Sequence, residues 1–135
     1  MIFNNTSDRY ERKHVIFAAT VVWLVAMILM ATKMVDFLYF GSFLAAVGLG
    51  MYLQVAYTFT AENYPTRARS SGFGITDGIG HGGGALGAIL LPILVATYSW
   101  SFGFVFIGIT GFIAGLLVLI GGTKVSRRNL EDISE

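Results

Sequence analysis

Charged side chains are almost missing from four long runs of this chain, 15–32, 37–61, 72–98 and 102–122. A helix needs about 20 apolar residues to cross the hydrocarbon of a bilayer. The second and fourth runs reach that length and the first falls just short. The third exceeds it, with two polar interruptions at Asp77 and His81. Hydrophobic residues make up 55% of the chain and charged ones 13%, against about 25% charged in an ordinary soluble domain. In water such a chain would aggregate. The expected fold class is an all-α integral membrane protein with four transmembrane helices and the lipid bilayer as its first partner. That divides the chain into an N-terminal segment 1–14, a four-helix region 15–122 and a tail 123–135.

The same composition narrows the function. Cysteine is absent, which removes disulfides, thiolate metal sites and thiol nucleophiles. No residue cluster suggests a metal site, a catalytic triad or a paired-carboxylate centre. Neither enzyme nor cofactor is expected, and a net charge of +1 suggests no nucleic-acid partner. Gly78-x-Gly80-x-x-Gly83 has the form of a dinucleotide fingerprint but lacks the strand and βαβ unit it needs. His81-Gly82-Gly83-Gly84 is similar to a lipase oxyanion motif but has no serine elbow to serve.

The cations set the orientation. Arg9, Arg12 and Lys13 precede the first run, Lys33 follows it, Arg67 and Arg69 lie between the second and third, and Lys124, Arg127 and Arg128 follow the fourth. With four crossings, eight of the nine basic residues share one face. Cytoplasmic segments carry the excess of Lys and Arg. Both termini and the 62–71 connection are therefore expected to be cytoplasmic, in a multi-pass protein of the plasma membrane. The outer connections are short, so neighbouring helices should form antiparallel hairpins. Tyr98 and Trp100 fall where an interfacial aromatic belt would lie. Trp23 falls mid-span and reads as a packing residue.

Glycine is concentrated in the last three runs. Gly74, Gly78 and Gly82 repeat every four residues, and Gly83 opens a neighbouring stripe. In lipid, small residues at this spacing let helix backbones approach closely. The alternative is that Gly82-Gly83-Gly84, with Pro92 further on, softens the helix so that it can bend, because proline removes a backbone donor.

Asp77 and His81 are four residues apart and share one helix face. They would lie roughly 8 Å and 14 Å inside a helix starting at Gly72, from the rise per residue. Ionisable residues at such depth are costly and usually face a bundle interior or a water-filled path. The pair therefore suggests a solute pathway with a coupling proton, since histidine titrates near neutral pH. A purely structural link to other helices is the alternative. Gln54, the most polar, and Tyr52, Tyr57, Thr58 and Thr60 on the second run could hydrogen-bond a polar solute or bridge helices.

Two polar segments carry a resemblance. Asp8-Arg9-Tyr10-Glu11-Arg12-Lys13 resembles the D-R-x-G-R-[RK] loop of the major facilitator superfamily, with Glu11 in place of the usual glycine. The run from Ala61 to Gly72, with Glu62, Pro65, Arg69 and Gly72 at the matching positions, is similar to that superfamily's E-x-x-P-x-x-x-R-x-x-G segment, especially in its sugar and metabolite:proton symporters. The resemblance implies transport of a small polar solute, a sugar or an organic-acid-like metabolite, coupled to protons. It implies that the four spans are the last four of a twelve-helix fold, with the second and third facing the cavity and the first and fourth peripheral. It implies a cytoplasmic gate network of Asp8, Arg9, Arg12, Glu62 and Arg69, although the arginines could instead serve topology alone. The chain would then be a C-terminal fragment whose partners are the missing transporter helices. A self-standing four-helix protein that self-associates or serves as an accessory subunit is the other reading.

Overall fold

The computed structural model describes residues 12–122. Four helices make up almost all of it: α1 (Arg12–Ala31), α2 (Val35–Glu62), α3 (Arg69–Thr97) and α4 (Trp100–Gly121). All four are long and apolar enough to cross a membrane. Hydropathy marks the apolar slab rather than the helix, so several boundaries run past it. α3 begins at Arg69 instead of residue 72, α2 extends to Val35 and Glu62, and α4 takes in Trp100.

The ends are built from local polar groups. Asp36 sits in the first turn of α2, where a carboxylate suits the positive end of the helix dipole. At the far end of α2 the Asn63 side chain donates from Nδ2 to the Phe59 carbonyl at 2.7 Å. Ser99 caps α4, its hydroxyl accepting from the Phe102 N–H at 3.2 Å. The turn between α1 and α2 places Lys33 at φ 61°, in the left-handed region that disfavours side chains with a Cβ.

α1 is the central helix, packed between α2 and α4. Its buried residues are Ile16, Ala19, Thr20, Ala26 and Met27. The facing side of α2 buries Gly41, Gly48 and Val55, every seventh residue. α4 presents Gly108 and Gly115 at the same interval. A seven-residue seam is the repeat of helices crossing at a shallow angle. Glycine on the seam lets the backbones close up. A Cβ at Gly48 would come within 3.2 Å of the Ala19 carbonyl oxygen and 3.3 Å of the Trp23 nitrogen. One at Gly111 would come within 3.0 Å of Trp23 Cδ1, so Trp23 is a packing residue here. Ser101 Oγ donates to the Ala31 carbonyl at 2.7 Å, satisfying one of the open carbonyls at the end of α1.

α3 stands apart from this three-helix unit. Gly72 is its only buried residue. Gly74, Gly78, Gly82 and Gly83 have nothing within 4 Å of the position a Cβ would take. Their four-residue stripe packs on nothing among the described residues. Pro92 lies within α3 and is exposed.

Candidate functional site: a groove between the second and third helices

Antiparallel α2 and α3 enclose a groove of about 690 Å³. α2 contributes Tyr52, Tyr57 and Thr60 to its wall, and α3 contributes Phe73, Thr76, Asp77 and His81. On each helix these positions fall one, three, four or five residues apart, within the face of a single stripe. Gly80, Gly84, Ala85 and Ala88 also line it, and their small size on α3 gives the groove its width. At the end nearest the 63–68 connection the rings of Tyr57 and Phe73 lie 5.6 Å apart and narrow it.

Four of the five residues singled out for the solute path thus converge: Tyr52, Tyr57, Asp77 and His81. Gln54 does not join them. It is exposed and lies off the stripe, on a different face of α2. Thr60, also named on the second run, lines the groove too, whereas Phe73 and Thr76 were not anticipated from the sequence. Each sits at helical spacing from a residue that was, and that spacing was the available signal.

His81 Nδ1 lies 2.9 Å from the Asp77 carbonyl oxygen and 3.4 Å from Asp77 Oδ2. Both groups are acceptors, so Nδ1 carries the ring proton and donates. In the neutral ring Nε2 is then the acceptor. The His81 side chain is 77% exposed and that of Asp77 38%, so the pair is open along one side of the groove. Asp77 and His81 can therefore exchange hydrogen bonds with a polar guest, and no cluster among the described residues could hold a metal ion.

A second polar cluster lies where α1 begins and α2 ends. Arg12 Nη2 is 2.8 Å from Glu62 Oε1, and both side chains are largely covered, at 13% and 20% exposure. Lys13 Nζ approaches the Gly122 carbonyl at 3.5 Å, bringing the end of α4 to the same level. Arg69, at the start of α3, is half-buried, and its Nε has no hydrogen-bond partner among the described residues. Of the five residues assigned to a gate network, the structure pairs Arg12 with Glu62. Arg69 makes no ion pair with either among the described residues, and Asp8 and Arg9 lie outside them.

A second, smaller cavity of about 310 Å³ lies between α1, α2 and α4, lined by Thr20, Trp23, Leu49, Tyr52 and Thr110 among others. Its threonine hydroxyls are spent within their own helices. Thr20 donates to the Phe17 carbonyl at 2.8 Å, and Thr110 lies 3.0 Å from both the Phe106 and Ile107 carbonyls.

Comparison with known proteins accords with four helices long and apolar enough to cross a membrane. The family model of the Major Facilitator Superfamily matches residues 1–135, and the chain belongs to that superfamily. It is 25% identical over 126 residues to the "Putative metabolite transport protein YyaJ" of Bacillus subtilis (strain 168), a match covering 92% of this chain and 28% of that protein. The chain therefore spans little more than a quarter of the length of this relative. No solved structure matches it.

Proposed function

We propose that the chain forms one flank of the solute pathway in a transporter of small polar metabolites, sugars or organic acids, with protons as the coupling ion. The observation that carries this reading is the α2/α3 groove, in which Tyr52, Tyr57, Asp77 and His81 face one space. Tyrosine hydroxyls, an imidazole and a carboxylate can bind a hydroxylated solute by directional hydrogen bonds. Asp77 and His81, in hydrogen-bond contact, can pass a proton between them as the solute moves.

In this reading the four helices are the last four of a twelve-helix assembly, with both termini on the cytoplasmic side of the plasma membrane. Arg12, Glu62 and Arg69, with Asp8 and Arg9, form the cytoplasmic gate. Charge-assisted contacts at helix ends suit that role because they can hold one state and break in the other. Gly82-Gly83-Gly84 and Pro92 supply flexibility, while Gly74 and Gly78 pack against helices supplied from elsewhere. The open glycine face of α3 supports the need for such a cover. A second copy of the chain would cover it equally well, and that is the alternative assembly.

The test is uptake in proteoliposomes containing this chain together with the remaining helices of a transporter of this family. An inward proton gradient should drive accumulation of a sugar or organic acid, and Asp77→Asn should abolish the gradient's effect. Uptake by Asp77→Asn that still follows the proton gradient would remove Asp77 from the coupling step. Disulfide trapping between cysteines placed at Gly78 in two copies distinguishes self-association from cover by other helices.

A further inference from the structure

The one buried residue of α3, Gly72, lies under the ring of Tyr64, in the connection from α2. A Cβ at Gly72 would stand 2.6 Å from Tyr64 Cγ, so only glycine leaves room for the ring. The Tyr64 hydroxyl lies 2.8 Å from Thr76 Oγ1, and Thr76 Oγ1 lies 2.9 Å from the Gly72 carbonyl oxygen. Threonine has one hydroxyl proton, and the carbonyl can only accept. Thr76 therefore donates to Gly72 and accepts from Tyr64. The Gly72 N–H in turn donates to the Ala68 carbonyl at 2.7 Å. Tyr64 is thus joined to the first turns of α3 by its ring and by its hydroxyl. Next to this seat is the Tyr57–Phe73 ring pair, and beyond that pair the groove opens.

We propose that Tyr64 is a positioning residue for the α2/α3 groove. Its ring on Gly72 fixes the spacing of the two helices at their connected ends, and with it the width of the groove, while its hydroxyl on Thr76 orients the ring in its seat. Glu62 lies two residues before Tyr64 and is held by Arg12 of α1. The same seat therefore links the groove to the ion pair at the base of α1. This holds whatever the solute is and whether or not a proton accompanies it.

The chain has no cysteine, so spin labels can be placed cleanly at Thr58→Cys on α2 and Ile79→Cys on α3. The full chain in lipid nanodiscs is measured by double electron–electron resonance. Tyr64→Ala is expected to shift and broaden the α2–α3 distance, while Tyr64→Phe, which keeps the ring, holds the mean distance. Gly72→Ala is expected to shift the distance when Tyr64 is present and to change nothing further in the Tyr64→Ala background. Circular dichroism at wild-type helicity establishes that each variant is folded. The Gly72→Ala and Tyr64→Phe variants carry the test if Tyr64→Ala does not fold. An unchanged distance in Tyr64→Ala would overturn the proposal. So would a Gly72→Ala shift of equal size with and without the ring, or a Tyr64→Phe variant displaced as far as Gly72→Ala.

Discussion

Arg12 at the first turn of α1 and Glu62 at the last turn of α2 each occupy the end of a helix that disfavours their charge, and each is held there by the other at 2.8 Å. A cation at a helix N-terminus and an anion at a C-terminus both oppose the helix dipole. Their attraction, in a spot largely shielded from solvent, offsets that penalty.

Removing one member of this pair takes a close counter-charge from a group that is largely covered and opposed by its own helix. Arg12→Ala and Glu62→Ala are each expected to lower stability by about 1–3 kcal/mol, between the values for exposed and fully buried pairs. The double alanine variant should lose less than the two singles combined. Thermal unfolding in detergent, run as a double-mutant cycle, checks this; strict additivity would mean that the two charges are not coupled.

Glycines on the packing seam and glycines on the open stripe should respond oppositely to added bulk. A Cβ at Gly115 would meet Thr20 Cγ2 at 2.7 Å, while one at Gly78 meets nothing within 4 Å. Gly115→Val is expected to destabilise the four-helix unit by about 1–3 kcal/mol, the usual range for overpacking. Gly78→Val should leave the isolated chain unaffected and impair only its assembly with whatever covers α3. Melting curves of the two variants separate the cases, and equal losses would contradict the packing described.

Lys33 holds a backbone conformation at φ 61° that costs a residue with a Cβ roughly 1–2 kcal/mol. Lys33→Gly should therefore raise the melting temperature. Lys33→Val should lower it, because a β-branched side chain fits that region worst. A destabilised glycine variant would show that the lysine side chain contributes more than its backbone conformation costs.

Groove position should decide which polar residues of α2 matter for a solute. Tyr57 lines the groove and Gln54 does not. In the reconstituted transporter Tyr57→Ala is expected to weaken solute binding, and Gln54→Ala to leave it close to wild type. Competition binding with a radiolabelled sugar measures both, and the reverse order would place the path on another face of α2.

How much of this was legible beforehand follows from what lipid does to a helix. The four spans, the short turns between them and the packing role of Trp23 all follow from length and hydropathy. The groove-facing sides do not, because a helix that is apolar all round has no polar stripe to orient it. Gln54 and Tyr57 look equally eligible in a list of residues, yet they point different ways. The glycine pattern was legible only in part for a related reason. The conspicuous four-residue stripe Gly74, Gly78 and Gly82 is open, whereas the packing seam uses the quieter seven-residue interval from Gly41 to Gly48 and from Gly108 to Gly115. Tyr64 stayed hidden because its role depends on a glycine two turns away across a bend in the chain. Within the charged cluster, the family resemblance named Arg12 and Glu62 as members, but only three-dimensional placement shows that they pair.

α3 is held near one end by the ring of Tyr64 on Gly72 and near the other by Leu91 and Val95 against Gly103. A beam clamped at two points and loaded between them bows; it does not tip. Deflection of α3 should therefore peak around Gly78 to Gly84, deep in the bilayer, while the helix stays nearly still at both membrane surfaces.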